Sequence, residues 1–341
     1  MRRFTIYYTL LFMFHAGAGY AQQAMPDDIV MFYNLENLFD PFDDSTTQDE
    51  EFTPKGRYGW TWSKLRVKTN AIAKTIVAAG KGNEPALVGV CEVENRLVLY
   101  RLVEQTPLAK IGYGIVHRES PDPRGIDVAL LYRTDYFTVL HSAWFRVYYD
   151  SGNYRTREIL YAKGVLHELD TLHVLVTHWP SKLGGPVKSE PRRMRAAETV
   201  RAITDSIFGV NPRANIIVMG DFNDTPDSNP IVHGLQAVHD TVCVSCLHNL
   251  MLPLAVRGEG SLKYRAQWEL IDLFFVSGNL LNVNEPIYCT PAEVSIFHAP
   301  FLLEPDERYL GEKVHRTHEA GKYKGGASDH LPILLPIKRS F

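Results

Sequence analysis

Apolar segments with strand character recur along the chain. Several of them are continuous rather than alternating, which is typical of strands that are covered on both faces. This pattern predicts sheets that pack against each other beneath helices. The segments are DIVMFYNL, ALVGVCEV, DVALLYR, FTVLHSAWFRV, ILYAKGVLHEL, LHVLVTHW, NIIVMGDF, LIDLFFVS and HLPILLPI.

Two stretches between these strands have the period of an amphipathic helix. In SKLRVKTNAIAKTIVAAG, an apolar side is formed by Leu65, Ile72, Ala73 and Ile76. SEPRRMRAAETVRAITDSIFG has the same period, with proline near its start and glycine at its end. Strands and helices therefore alternate, and no linker rich in Gly, Ser or Pro divides the chain. We expect one domain of the α/β (α+β) class over residues 22–341.

The N-terminal stretch MRRFTIYYTLLFMFHAGAGYAQQA combines two arginines, a short apolar run and small residues. This layout predicts a secretory signal peptide over residues 1–21, and a retained amphipathic anchor is the alternative. The mature chain would be exported, to the periplasm or the medium, without a stable membrane anchor. Without Arg2 and Arg3 the formal charge of −3 becomes more negative by two, so no global basic bias remains. With 22% charged and 45% apolar residues, the composition is that of a loop-rich globular enzyme.

Two patterns resemble redox or metal motifs without meeting their requirements. CVSC has redox-motif spacing, but a second cysteine pair for zinc is lacking, so we interpret its cysteines as structural or incidental. One disulfide could form among Cys91, Cys243, Cys246 and Cys289 in an oxidising compartment. HELDTLH lacks the spacing of a zinc helix and predicts a hairpin turn between strands.

Polar residues end several of the apolar strands, in FYNLEN, VCEVEN, VTHWPSK, MGDFND, LIDLFF and ASDHLP. One such ending is usually a turn or a cap, but the carboxyl ends of strands are also where α/β folds place their active sites. Carboxylates and amides are oxygen ligands that suit a hard cation such as Mg²⁺. Cleavage of a phosphodiester needs such charge neutralisation together with an oriented water.

Together these stretches resemble the endonuclease/exonuclease/phosphatase superfamily of metal-dependent phosphoesterases, which includes pancreatic deoxyribonuclease, bacterial sphingomyelinases and inositol-polyphosphate 5-phosphatases. The motifs stand in the family's order from Ile29 to Ile333, and GDFN and SDH are the most specific of them. The resemblance implies a four-layer α/β/β/α sandwich of two packed mixed sheets flanked by helices.

The resemblance also implies a metal site at Asn34, Glu92 and Asp329. Mg²⁺ is the expected ion, with Mn²⁺ or Ca²⁺ as alternatives. Glu36 could take part, because residues two apart on an extended strand point to one face. The same argument places Asp221 and Asn223 on a common face, with the intervening phenylalanine directed into the core.

The resemblance to the family also implies which residues are catalytic. Asp221 orients or deprotonates the attacking water, and Asn223 donates its amide to the phosphate. Asp272 fixes the tautomer of His330, and His178 is a second histidine that donates to the phosphate.

Substrate contacts are less defined by the sequence. Asp127 could hold the second histidine, and Arg124 could reach a phosphate, although a salt pair explains both equally well. The region from Lys182 to Arg213 contains more basic than acidic residues. The aperiodic segment 288–326 is expected to be a long insertion beside the site. Within it, a track for a polyanion could be formed by Lys313, His315, Arg316, His318, Lys322, Tyr323 and Lys324.

The sequence favours an exported Mg²⁺-dependent phosphodiesterase, with DNA or RNA as the substrate. A phosphatase, or a sphingomyelinase-like or inositol-phosphate phosphodiesterase, is the alternative enzyme. A binding protein that lost the chemistry is a third hypothesis, but all the matched polar residues are intact. No protein partner is inferred.

Overall fold

The computed structural model describes residues 27–149, 154–239 and 243–340. The predicted signal peptide, residues 1–21, lies outside the described residues, so its cleavage and the export of the chain stay predictions. Within the described ranges, no helix is long and apolar enough to cross a membrane. The single domain predicted over residues 22–341 also stays a prediction.

The regular elements follow one another in a strand-rich order with a few helices. The α-helices are α1 (Trp62–Gly80), α2 (Arg96–Glu104), α3 (Pro186–Val210) and α4 (Leu252–Val256). The strands are β1 (Asp28–Leu38), β2 (Leu87–Val93), β3 (Tyr113–His117), β4 (Asp127–Arg133), β5 (Phe137–Phe145), β6 (Ile159–Leu166), β7 (Asp170–His178), β8 (Asn215–Asp221), β9 (Leu247–Asn249), β10 (Leu262–Tyr264), β11 (Gln267–Glu269), β12 (Asp272–Ser277), β13 (Ile287–Tyr288), β14 (Ser295–Ile296), β15 (Leu303–Pro305), β16 (Glu312–Val314), β17 (His318–Glu319), β18 (Lys322–Tyr323) and β19 (Ile333–Arg339).

Most of these strands form two large mixed sheets, and the others form two-stranded hairpins. The first has the order β13-β19-β1-β2-β4-β3, with β14 also paired to β19, and the second has the order β5-β6-β7-β8-β12-β9. Each contains one parallel pair, β1 with β2 and β7 with β8. A parallel pair needs a crossover connection, and here the crossovers carry the two long helices α1 and α3. The sandwich of two mixed sheets with helices, expected from the resemblance, is confirmed.

The sheets pack face to face, with β1 and β2 of the first against β8 of the second. At Gly89 on β2, a Cβ would lie 2.8 Å from the Cε of Met219 on β8. Glycine therefore lets the two sheets approach closely at this point. Phe222 packs edge-on against Trp179 and Phe275, with ring centroids 4.7 and 5.1 Å apart, so its predicted inward direction is confirmed.

The two patterns that were set aside as structural take the expected forms. HELDTLH turns between β6 and β7, with positive φ angles of 51° at His167 and 59° at Glu168. Such angles are those of a tight hairpin turn, so this prediction is confirmed. Cys243 and Cys246 form a disulfide within their loop, while Cys91 and Cys289 are buried free thiols.

The predicted insertion 288–326 forms small hairpins, β15 with β16 and β17 with β18. An aromatic cluster holds the second hairpin against the rest of the domain. The ring centroid of His318 lies 4.5 Å from that of Tyr58 and 5.6 Å from that of Trp60. Arg316, between the two hairpins, reaches Glu36 and Asp329. The insertion therefore lies beside the site, as its position in the sequence suggested.

Candidate active site

The register of three adjacent strands brings the candidate catalytic residues together. Asp221 ends β8, and its ladder partners are His178 on β7 and Asp272 on β12. Residues that are directly opposite in a ladder have side chains on the same face of the sheet. The sheet itself therefore sets these three groups side by side, although they are far apart in sequence.

His330 completes this group from the segment before β19, where it pairs with Leu262 of β10 in an isolated bridge. Its Nδ1 lies 2.6 Å from the Asp272 carboxylate, and its Nε2 lies 4.0 Å from Asp221 Oδ2 and 4.0 Å from Asp329 Oδ1. Burial by itself disfavours the imidazolium, but the carboxylates of Asp272, Asp329 and Asp221 outweigh it and raise the pKa of His330 well above its usual value. Asp272 thus occupies the position of an orienting acid, and His330 presents a charged Nε2–H to the site.

Asp221 is surrounded by groups that orient it. Asn34 Nδ2 donates to Oδ2 at 3.0 Å, and the backbone N–H of Asn223 donates to Oδ1 at 2.9 Å. His178 Nε2 lies 3.5 Å from Oδ2. Burial, with the nearby charge of Asp272, raises the pKa of Asp221 to about 7. A general base works best when its pKa is near the operating pH, so this carboxylate is suited to take a proton from water.

His178 is a neutral imidazole in this setting. Burial and the positive charges of Arg157, Arg124 and His330 hold its pKa well below the usual value. Its Nδ1 is buried and has no hydrogen-bond partner among the described residues. A buried polar atom without a partner is costly, and near a reactive centre it marks a place where a ligand can bind.

Asp127 does not hold His178, contrary to the hypothesis from the sequence. Its carboxylate lies 3.0 Å from His117 Nε2 and accepts the backbone N–H of Ser120 at 2.8 Å. Both contacts are local, since β4 begins at Asp127 beside β3. Arg157 is one of the charged groups near His178, and it donates to the carbonyl oxygen of the next residue, Trp179, at 2.7 Å.

The expectation that Glu36 and Asn223 follow extended strands was wrong. Their φ angles are 44° and 50°, and Glu92 has a φ of 58°. The register of β1 with β2 shifts after Asn34, the register of β2 with β4 shifts around Glu92, and β8 ends at Asp221. Bulges and strand ends re-aim side chains, and backbone strain of this kind concentrates at functional sites.

This departure gives Asn34 and Asn223 specific partners. Asn34 Oδ1 accepts the backbone N–H of Glu36 at 2.8 Å, while its Nδ2 donates to Asp221. Asn223 Nδ2 donates to the Trp179 carbonyl at 3.0 Å. The amide of Asn34 thus orients Asp221 in this arrangement, and its role as a metal ligand stays a prediction.

Glu92 and Arg124 meet at the mouth of the site. Glu92 Oε2 accepts the backbone N–H of Asn37 at 2.9 Å, and Arg124 Nη2 lies 4.0 Å from the same oxygen. Arg124 also donates to Asn37 Oδ1 at 2.8 Å. Since 47% of the Arg124 side chain is exposed, its guanidinium is accessible to solvent, and its contact with a substrate phosphate stays a prediction.

Asp329 and Arg316 belong to a charged network on the other side. Arg316 Nη2 lies 2.7 Å from Asp329 Oδ2, and its Nε lies 3.1 Å from Glu36 Oε1. Glu36 is buried and also accepts the backbone N–H of Thr317 at 2.7 Å. Arg316 therefore links two acids of the site, in addition to its predicted part in substrate binding.

Lys68 lies beneath this network, and the sequence reasoning missed it. The side chain is fully buried, donating to Thr317 Oγ1 and, at 3.0 Å, to the Ala327 carbonyl. Burial lowers the pKa of Lys68 to about 8, against the opposing effect of the Glu36 and Asp329 charges. A signal existed in the sequence, since a lysine three residues after Leu65 falls on the apolar side of its helix.

Lys182 stands apart from these groups. Its Nζ lies 3.2 Å from Glu269 Oε2 on β11. About one third of the side chain is exposed, so it remains accessible to solvent. The structure therefore gives Lys182 an acidic partner of its own, and contact with substrate stays a prediction.

Sequence comparison agrees with this architecture. The sequence model of the endonuclease/exonuclease/phosphatase family matches residues 29–339. The chain belongs to this family. Its members hydrolyse phosphate ester bonds with the help of divalent metal ions, so the chain is an enzyme of this class, as the motifs predicted. Among proteins of curated function, none gives a significant sequence match.

Solved structures share the family fold at low sequence identity. Humanised D. rerio TDP2 is 12% identical with a TM-score of 0.56, and the match covers 92% of this chain and 99% of that one. The human Nocturnin catalytic domain is 15% identical with a TM-score of 0.54, covering 92% and 95%. An endonuclease/exonuclease/phosphatase protein from Bacteroides vulgatus is 16% identical with a TM-score of 0.56, covering 93% and 100%.

The donor atoms of this family member suit a hard divalent ion. Among the described residues, two groups have ligand atoms within 4.8 Å of one another, Cys91–His178–Asp221 and Asp221–Asp272–His330. Burial raises the pKa of the Cys91 thiol well above its usual value, which disfavours the thiolate that a soft metal requires. The carboxylates of Glu92 and Asp329 are partly exposed, at 14% and 22%, and offer hard oxygen ligands beside these groups.

Proposed function

We propose that the chain is an exported, Mg²⁺-dependent phosphodiesterase that hydrolyses DNA or RNA. The observation that carries the proposal is the alignment of His178, Asp221 and Asp272 on adjacent strands, with His330 bonded to Asp272. In this arrangement Asp221, a base with a near-neutral pKa, lies next to His330, a charged donor. These are the two proton-handling groups that hydrolysis of a phosphodiester requires.

The residues divide the work as follows. Asp221, held by Asn34 and Asn223, accepts a proton from the attacking water. His330 presents its charged Nε2–H to the phosphate, while His178 donates to a second oxygen. A divalent ion held by Glu92 and Asp329 would neutralise charge on the phosphate oxygens. Arg124 is exposed enough to add a further positive charge at the mouth.

Two observations support a nucleic acid as the substrate. A cavity of about 680 Å³ opens beside Asp329 and Arg316, and its lining includes the basic side chains of Arg265, Arg308 and Lys322 together with acids such as Glu304 and Glu307. Phosphate backbones are bound mainly through such positive charges. D. rerio TDP2, which shares the fold, has been solved with a single-strand DNA product.

Another observation favours the alternative, a phosphatase or phosphodiesterase for a small or lipid-linked ester. Several cations of the expected polyanion track are already paired with acidic side chains of this protein. Lys313 pairs with Glu319, Lys324 lies 3.5 Å from Glu319, and Arg316 pairs with Glu36 and Asp329. Paired cations contribute less to binding a long polyanion than free ones do.

Hydrolysis assays on residues 22–341 test the proposal. The substrates are plasmid DNA, RNA, sphingomyelin and a chromogenic phosphodiester, each with Mg²⁺ and with chelator. His330→Ala removes the charged donor, and His233→Ala, an exposed histidine, is the matched control. Loss of nucleic acid that depends on Mg²⁺ and His330 supports the nuclease. Activity confined to the lipid or small ester establishes the alternative, and no turnover of any substrate would overturn both.

A further inference from the structure

The cavity beside Asp329 and Arg316 has two walls, and each is built by a hairpin. One wall is the hairpin of β10 and β11, and the other is the loop that joins β15 to β16. The first hairpin starts at the candidate active site, because Leu262 of β10 forms a bridge with His330. The cavity therefore extends from the candidate active site into the insertion 288–326.

A shielded ion pair locks the two walls together. Lys263 Nζ on β10 lies 2.9 Å from Asp306 Oδ2, and the two side chains are 6% and 5% exposed. Lys263 also donates to the carbonyls of Leu310 and Glu312, at 2.9 and 3.0 Å. The other oxygen of Asp306 accepts the backbone N–H of Arg308 at 3.1 Å. The loop that carries Arg308 is therefore fixed against β10.

The free charge of this cavity is positive. Its lining holds seven basic and five acidic side chains, and four of the basic ones pair with acids of the protein, namely Lys263, Lys313, Arg316 and Lys324. The other three basic side chains are exposed and have no acidic partner among the described residues; they are Arg265, Arg308 and Lys322. Against these three, Glu307 is the lining acid without a cationic partner in the same ranges.

An aromatic ring beside each free arginine orients it without neutralising it. The Arg265 guanidinium lies 5.3 Å from the ring centroid of Tyr264 at the tip of the β10–β11 hairpin. The Arg308 guanidinium lies 5.2 Å from the ring centroid of Tyr309 in the opposite wall. The face of a tyrosine ring attracts a cation but carries no net charge. Each guanidinium is therefore available to an anion, and its restricted freedom reduces the entropy lost when a ligand binds.

We propose that Arg265 and Arg308, with Lys322, form a second anion site that holds a phosphate of the substrate other than the one that is cleaved. The inference rests on the proposed function, which places the reacting phosphate at His330. Arg265 follows Leu262, the bridge partner of His330, by three residues, which corresponds to about 10 Å along a strand. A guanidinium binds phosphate through paired hydrogen bonds, so arginines from opposite walls of one cavity suit such a group. The preferred substrate then carries a second phosphate, as a nucleic acid strand does.

Three thymidine dinucleotides test the site, because they differ only in a terminal phosphate. The first has the internal phosphate alone, the second adds a 5′-phosphate, and the third adds a 3′-phosphate. The readout is the ratio of kcat/KM between each phosphorylated dinucleotide and the first one, measured on residues 22–341 with Mg²⁺. The test protein is the double variant Arg265→Gln and Arg308→Gln. Arg213→Gln is the matched control, since Arg213 is exposed and precedes β8, at the opposite end of that strand from Asp221.

We expect one of the two phosphorylated dinucleotides to be preferred by about tenfold or more, which is the effect of a hydrogen bond to a charged group. In the double variant this ratio should fall to near one, whereas Arg213→Gln should retain it. Both arginines of the site are exposed, so the double variant should fold, and its melting temperature checks this. No preference in the unmodified protein, or a preference that the double variant keeps, would overturn the proposal.

Calorimetric binding to the His330→Ala protein separates the anion site from the proposed function. The ligands are the three dinucleotides, together with inositol 1-phosphate and inositol 1,4-bisphosphate as a small ester with the same chemistry. If the unmodified protein hydrolyses no dinucleotide, the nuclease proposal fails. Tighter binding of the ligand with the extra phosphate, lost when the two arginine substitutions are added, still supports the anion site. An advantage confined to the bisphosphate identifies a small ester as the source of the second phosphate, and equal binding within both sets of ligands excludes the anion site.

Discussion

Asp221 and Asp272 lie directly opposite each other on the antiparallel strands β8 and β12, both buried. Two adjacent carboxylates repel, and each is stabilised by different partners. Asp272 is hydrogen-bonded to His330 Nδ1, whereas Asp221 accepts hydrogen bonds from the side-chain amide of Asn34 and the backbone amide of Asn223. This asymmetry separates a carboxylate that orients a histidine from one that can accept a proton.

Asp272→Asn should therefore change two properties at once. Loss of the orienting carboxylate lowers kcat by about 10²- to 10⁴-fold. The Asp272 charge also raises the pKa of Asp221, so its removal lowers that pKa. With Asp221 as the base, activity should rise with pH through the Asp221 pKa of about 7 in the unmodified protein. In the variant this acid limb should move to lower pH, as measured by a pH profile of kcat/KM.

A merely structural role for Asp272 would reduce activity without moving the acid limb. Asp205→Asn, which alters an exposed ion pair on α3, is the control and should leave both kcat and the profile unchanged.

Glu92→Gln and Asn34→Ala should separate metal binding from orientation of the base. Glu92 offers a partly exposed carboxylate, so Glu92→Gln should weaken Mg²⁺ binding by about 10- to 100-fold. Asn34 directs its amide to Asp221, so Asn34→Ala should lower kcat while the Mg²⁺ dissociation constant stays nearly constant. Equal losses of Mg²⁺ affinity in the two variants would show instead that Asn34 is a ligand. Calorimetry and steady-state kinetics give the two readouts.

Lys68→Met should destabilise the protein strongly. The substitution removes a positive charge that stabilises the buried Glu36 carboxylate. It also removes the hydrogen-bond donor to the Ala327 carbonyl. Breaking a buried charged interaction of this kind costs about 3 to 5 kcal/mol. Lys110→Met, at an exposed position, should change the free energy of unfolding by less than about 0.5 kcal/mol. Urea unfolding of both variants measures the difference, and equal midpoints would contradict the role assigned to Lys68.

His173 should contribute to the loss of stability in acid. Burial, with the charge of Lys163, lowers the pKa of His173 to about 4 in the folded protein, from its usual value of 6.5. Because the folded pKa is lower, the unfolded chain binds the proton first. Stability is therefore lost as pH falls from about 6.5 to about 4. His173→Gln should show a smaller fall in melting temperature across this window. The same fall in both proteins would exclude His173 as a contributor.

Much of the fold follows from the local sequence. Continuous apolar runs predicted strands buried on both faces, as β8 now shows, and the apolar stripe through Leu65 and Ile72 predicted α1. The motif GDFN indicated a strand end at Asp221. These features depend on neighbours in the chain, so hydrophobic period and turn chemistry were sufficient.

The placement of the polar side chains did not follow from local pattern. Extended periodicity could not foresee the positive φ angles at Glu36, Glu92 and Asn223, because bulges arise from the pairing of strands. Asp127 was assigned to His178 by resemblance to nucleases of the family, yet the β3–β4 pair gives it His117. Lys68 was unremarked because its partners come from residues 317 and 327, far along the sequence.

The sequence by itself thus determined the sandwich, the family and the chemical types gathered at the strand ends. Only the tertiary structure decided which carboxylate faces which histidine, and that Arg316 and Lys68 share the acids of the site. The physical reason is that strand and helix formation respond to short-range period and burial. Protonation and pairing are instead set by burial and charges within a few ångströms, which come from segments distant in the chain.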